Sequence, residues 1–241
     1  MLSKTRGIVL HSIPYNDKYA IVYIYTESFG RVSYMVARQK GKSSAVSKAL
    51  FMPLSVLEME VDHQPKRDIQ RIKECRSCYL LNSLSFDPVK NVLALFLSEL
   101  LYRAIKETEP DQRLFQFLYE SIHFLEYAES GVANFHIVFM MHLLHYLGVF
   151  PRGDTYQSGF YFDLQSGTFR ADIPMHTHFL TPEDSLFFYR LLRISFENMS
   201  LYAFSRGDRR NIIRKILEYY QLHLPGFSGV RSLDILENLF D

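Results

Sequence analysis

Cysteine is scarce in this chain: Cys75 and Cys78 are the only two among 241 residues. That count excludes a disulfide-stapled secreted scaffold and points to a reducing compartment. Apolar runs of membrane length are also missing. The most membrane-like stretch, residues 134–150, has no Asp, Glu, Lys or Arg but contains Asn134, His136, His142 and His145. It is shorter than the roughly 20 apolar residues that a bilayer requires, and it reads as a buried central helix. The opening residues lack the apolar region and small-residue cleavage site of a signal peptide. No Ser-His-Asp signature, HExxH, Gly-rich nucleotide loop or EF-hand spacing occurs, and there is no internal repeat or low-complexity tract. A cytoplasmic binding protein, not an enzyme, is expected.

Acid is nearly absent from the first fifty residues. Lys4, Arg6, Lys18, Arg31, Arg38, Lys40, Lys42 and Lys48 face only Asp17 and Glu27, a net of +6 in a chain whose total is +1. The rest of the chain therefore carries −5. Segregated charge of this kind sets where a polyanion docks. Tyr15, Tyr19, Tyr23, Tyr25, Phe29 and Tyr34 lie among those cations. Cations for phosphates and flat rings for bases together suit single-stranded nucleic acid.

The chain is 48% apolar and 15% aromatic, enough for a sizeable core. Period-two and β-branched patterns predict strands over residues 7–13, 20–26, 31–37, 54–61 and 68–73. Five short strands in about 75 residues suggest a small closed barrel of the OB type. After Asn82 the period becomes helical. Asp87 followed by Pro88 predicts a capped start, and Pro110, Thr181 to Asp184, Asp208 and Ser232 mark further helix starts. Residues 160–163 and 167–170 read as two short strands around a turn. The expected class is α+β. A five-stranded OB-type barrel occupies residues 1–80, and a mainly helical domain with a small hairpin insertion at 153–175 occupies residues 81–241.

The Gly-, Ser- and Lys-rich stretch at residues 38–44, which reads as a loop, is the sharpest local signal, because lysines so placed can follow a phosphate backbone. Its glycine spacing is not that of a P-loop. Candidate nucleic-acid contacts are Lys18, Arg31, Arg38, Lys40, Lys42 and Lys48, with Tyr15, Tyr19 and Tyr34 as exposed stacking surfaces. Each also has a plain reading, the lysines as a solvated loop and the tyrosines as core. Cys75 and Cys78 have the spacing of half a zinc site, with His63 and His11 as conceivable completions, or are simply small apolar residues at a junction. Asp172, His176 and His178 could ligate a hydrolytic metal, and His142 and His145 could share a ligand. Arg206, Arg210 and Arg214 recur every four residues and form a cationic ridge, fit for an acidic peptide or merely solvated. Three rival functions follow: RNA binding, a metal-dependent hydrolase built on Asp172, and a protein-only adaptor.

Several segments together resemble one family. Thr5 to Leu10, Pro14-Tyr15 with Asp17, Tyr25 to Arg31 and Val36-Ala37-Arg38 resemble the opening of the RecO recombination mediators. Arg209-Arg210-Asn211, the run from Leu217 to Leu224 and Arg231-Ser232-Leu233 resemble its closing helix and turn. The resemblance spans essentially the whole length. It implies an OB barrel followed by a helical domain, binding of single- and double-stranded DNA, and annealing of complementary strands. It also implies partners: RecR, and the acidic C-terminal tail of single-strand-binding protein, which RecA is helped to displace. Arg31 and residues 38–42 match the basic part of that family's barrel. Many members carry a four-cysteine zinc knob around the hairpin, whereas residues 153–174 here contain no cysteine. No zinc or other cofactor is therefore expected, with Phe160, Phe162 and Phe169 packing the hairpin instead.

Overall fold

The computed structural model describes residues 2–38, 49–79, 81–129 and 131–239. They divide into two compact units, one of Met1–Tyr127 with Val230–Leu239 and one beginning at Ala128 and running to Gly229.

The first unit is built on five strands: β1 (Leu2–Pro14), β2 (Tyr19–Thr26), β3 (Gly30–Ala37), β4 (Val56–Asp62) and β5 (Ile69–Ser77). They close into a barrel in the order β1-β2-β3-β5-β4. All pairs are antiparallel except β3 with β5. This is the OB-type barrel that the strand pattern suggests. Closure depends on β1, whose first half pairs with β4 and whose second half pairs with β2. Gly7 belongs to both ladders, and a Cβ there would lie 2.6 Å from the Ile24 and Met59 side chains. Alternate residues point inward, so Val9, Val22, Ile24, Val32, Tyr34, Leu57, Met59 and Val61 form the barrel core. β5 runs past the expected residue 73 because its ladder with β4 continues to the Leu57–Ser77 pair.

Helices α1 (Asn82–Phe86), α2 (Pro88–Ala104) and α3 (Gln112–Tyr127) follow. Asp87 accepts from the N–H groups of Val89 and Lys90, as the Asp-Pro signal predicts. Asp111, just after Pro110, does the same for Arg113 and Leu114. Leu93, Phe96, Leu97, Leu100 and Leu101 bury the predicted stripe of α2. α1 is too short to hold itself, and the Glu126 carboxylate on α3 accepts from Ser83 and Leu84 N–H at 2.7 and 2.9 Å. Buried Lys90 donates to the Ser83 hydroxyl and the Glu126 carbonyl, which satisfies two of its three N–H donors in the interior.

In the second unit, α4 (Phe135–Tyr146) is almost wholly buried, as its uncharged sequence predicts. Short strands β6 (Tyr161–Asp163), β7 (Thr168–Arg170) and β8 (Phe179–Leu180) form a sheet in the order β7-β6-β8. Phe162 and Phe169 are buried with ring centroids 4.7 Å apart, and Phe160 is half-buried. α5 (Pro182–Leu191) starts at its Thr181 cap. Beyond its end at Leu191, the Asn198 side chain accepts from Ser195 N–H and donates to the Arg193 carbonyl to make a turn. α6 (Arg206–His223) opens two residues earlier than expected, on a Ser205–Asp208 capping box. Finally α7 (Leu233–Leu239) returns to the first unit and packs on α2.

Candidate nucleic-acid interface

The turn between β1 and β2 is fixed by one side chain. Asn16 Oδ1 accepts from the N–H groups of Lys18 and Tyr19, both at 2.9 Å. The Arg38 N–H donates to the Lys18 carbonyl at 2.7 Å, and its guanidinium donates to the Asn16 carbonyl at 3.2 Å. The end of β3 is thereby tied to the β1–β2 turn. Tyr15 and Tyr19 are 59% and 40% exposed beside the exposed Lys18 and Arg38. Four of the predicted contacts are thus gathered in one place. Lys40, Lys42 and Lys48 lie outside the described residues.

Tyr34 is a correction. It was expected on the surface, but it is completely buried. Alternation along β3 sets it with Val32 in the barrel core, and burial raises its phenol pKa.

Arg31 stands apart from the cluster. It is half-buried, and its guanidinium donates to the carbonyls of Tyr102 and Ile105 at 2.9 and 2.6 Å. It also lies over the Tyr102 and Tyr23 rings, 4.5 and 5.3 Å from their centroids. Burial pulls its pKa down, and the neighbouring tyrosines partly offset that. A cation at the C-terminal carbonyls of α2 suits the helix dipole, so Arg31 clips α2 to the barrel. Next to it Gly30 has φ +61°, and a Cβ there would meet the Thr108 and Glu109 carbonyl oxygens at 2.6 Å. Arg6 is likewise engaged, by both oxygens of Glu27 at 2.7 and 3.0 Å and over the rings of Phe115 and Tyr119.

The fold adds residues that charge counting in the first fifty positions misses. Met35 on β3 pairs with Arg71 on β5, and both Arg71 and Lys73 are exposed. The signal was available, because Arg71 and Lys73 alternate with buried Gln70 and half-buried Ile72. Tyr19 pairs with Ala37 across β2 and β3, so Tyr19, Ala37, Met35 and Arg71 share the outer face. That face continues toward a groove of about 650 Å³ lined by Phe29, Arg31, Ser33, His63, Arg67 and Lys106, with Asp68 and Glu109 also present. Phe29 and His63 stack with centroids 4.1 Å apart. Burial holds His63 below the usual imidazole pKa, which keeps it neutral. Burial, then the charges of Arg31 and Arg103, lower the Lys106 pKa, as repulsion among neighbouring cations does. The face between the β1–β2 and β4–β5 loops is where OB barrels hold oligonucleotides.

The other candidate sets are not assembled. His176 approaches Asp163 at 3.3 Å, while His178 binds Glu218 at 2.8 Å and Asp172 is exposed. Among the described residues no three His, Cys, Asp or Glu side chains converge as metal ligands. Cys75 packs partly against the barrel core, and burial raises both thiol pKa values, which disfavours the thiolate a metal needs. On α6, Arg206 and Arg214 are exposed and Arg210 is half-buried. No helix among the described residues is long and apolar enough to cross a membrane.

Comparison with known proteins places the chain in a family. Residues 1–80 match the family model described as Recombination protein O N terminal, and residues 85–233 match Recombination protein O C terminal. A DNA repair protein RecO of Azobacteroides pseudotrichonymphae is 45% identical over 241 residues, covering all of both chains. Those of Bacteroides fragilis and Flavobacterium johnsoniae are 42% and 32% identical, again over the full length of both. The chain therefore belongs to the RecO family of DNA repair proteins.

Proposed function

We propose that this protein is a recombination mediator that binds single- and double-stranded DNA and anneals complementary strands. With RecR as partner, it helps load RecA onto DNA coated with single-strand-binding protein, working in the nucleoid-associated cytoplasm. The observation that carries the reading is the Arg38–Lys18 hydrogen bond at 2.7 Å, which brings the exposed side chains of both residues beside exposed Tyr15 and Tyr19. Phosphates meet Lys18, Arg38, Arg71 and Lys73, together with Lys40, Lys42 and Lys48 of the neighbouring segment. Bases stack on Tyr15 and Tyr19.

The chemistry is non-covalent. Cations displace the counterions of two strands, so complementary strands can approach without full repulsion. Arg206, Arg210 and Arg214 on α6 offer charge-assisted hydrogen bonds to the acidic tail of single-strand-binding protein. An annealing assay on complementary oligonucleotides tests the reading. The protein should accelerate duplex formation at low salt, and Lys18→Ala with Arg38→Ala should slow it at least about tenfold. Annealing at the protein-free rate, or no binding to any oligonucleotide, contradicts the proposal.

A further inference from the structure

A second surface lies wholly within the second unit, between α5 and α6. It is a groove of about 600 Å³. Leu180, Phe188, Leu191 and Ile212 line it with buried apolar surface. Phe187, half-buried against Phe204 at a centroid distance of 5.2 Å, completes the apolar part.

The charged lining is unbalanced. Glu183, Asp184, Asp208 and Glu218 stand against Arg214 and Lys215, a formal charge of −2. Lys215 is already on Glu218 at 2.9 Å, which leaves the acids at the two helix starts in excess. Two of those acids are fixed by folding: Asp184 and Asp208 sit at the third position of α5 and α6, bonded to the caps Thr181 and Ser205. Glu183 is exposed and makes no hydrogen bond or ion pair among the described residues.

An apolar groove edged by acid is complementary to an apolar anchor carried between basic side chains, and repels an acidic segment. We infer that the α5–α6 groove is a docking site for a basic segment of a partner protein, which inserts an apolar or aromatic side chain beside Phe187. The inference does not depend on the DNA-binding reading. It also separates this groove from the arginines proposed for an acidic tail, of which Arg214 alone lines it. α6 then serves partners of opposite charge.

Two short synthetic peptides test it on the full chain by fluorescence anisotropy. Both carry the same central Phe-Leu pair, one flanked by lysines and the other by glutamates. The lysine-flanked peptide should bind at least about tenfold tighter. Glu183→Lys, an exposed change in the first turn of α5, should weaken it about fivefold or more, as should Phe187→Ala, with the unfolding midpoint of Glu183→Lys unchanged. Equal or tighter binding of the glutamate-flanked peptide overturns the inference. So does binding that both substitutions leave intact, or the absence of binding by either peptide.

Discussion

Arg31 and Arg38 are seven positions apart and carry the same charge, yet the barrel gives them opposite roles. Arg31 projects from the part of β3 that α2 covers, and two carbonyls and two tyrosine rings hold it. Arg38 follows the end of β3, beyond that cover, where its side chain reaches the β1–β2 turn and remains exposed. Replacing Arg31 by Ala leaves α2 without its C-terminal cation and should cost about 2–3 kcal/mol of stability. Arg38→Ala should leave stability within about 0.5 kcal/mol and lower DNA affinity instead. Denaturant unfolding beside a DNA titration separates the two. Equal effects of both substitutions on unfolding would count against the clip. Tyr34 makes the same point: it lies in the same strand as Arg31, between Ser33 and Met35, but its parity along β3 puts it in the core.

At the scale of elements, the strands were legible because alternation is a direct image of a two-faced sheet. The Asp87-Pro88 start was legible because its capping chemistry is local. Boundaries set at a distance were not. Ser232 precedes α7 as the sequence indicates, yet what fixes that turn is Glu99 of α2. Its carboxylate accepts from Arg231 N–H at 3.0 Å, and from Ser232 N–H and hydroxyl at 2.8 and 2.7 Å. A contact across more than 130 residues leaves no local pattern. Burial alone would raise the Glu99 pKa, but these donors, with Arg103, outweigh it and hold the carboxyl below its ordinary value. The folded pKa is thus lower than the unfolded one. The stabilisation is complete above the ordinary carboxylate range and is lost as pH falls through the depressed value. Glu99→Gln should cost about 2–3 kcal/mol at pH 7 and much less at a pH below that depressed value, where the wild-type carboxyl is protonated. Denaturant unfolding at the two pH values checks this, and an equal cost at both would contradict it.

For the molecule as a whole, the sign of the charge was readable and its direction was not. Counting eight bases in fifty residues identifies a cationic segment. It does not reveal that Arg6 and Arg31 face helices of their own unit, or that Arg71 and Lys73 join from β5. The inward set of the barrel decides the outward set, and that depends on register. What remains on the outer face is a short path from the β1–β2 turn along β3 and β5. The most direct test of that path is the salt dependence of single-stranded DNA binding. Wild type should be compared with the Lys18→Ala, Arg38→Ala, Arg71→Ala triple variant. The slope of log affinity against log salt should shrink by about 0.7 for each lost phosphate contact, roughly 2 in all, with the unfolding midpoint unchanged. An unaltered slope and affinity would show that DNA is held somewhere else on the protein.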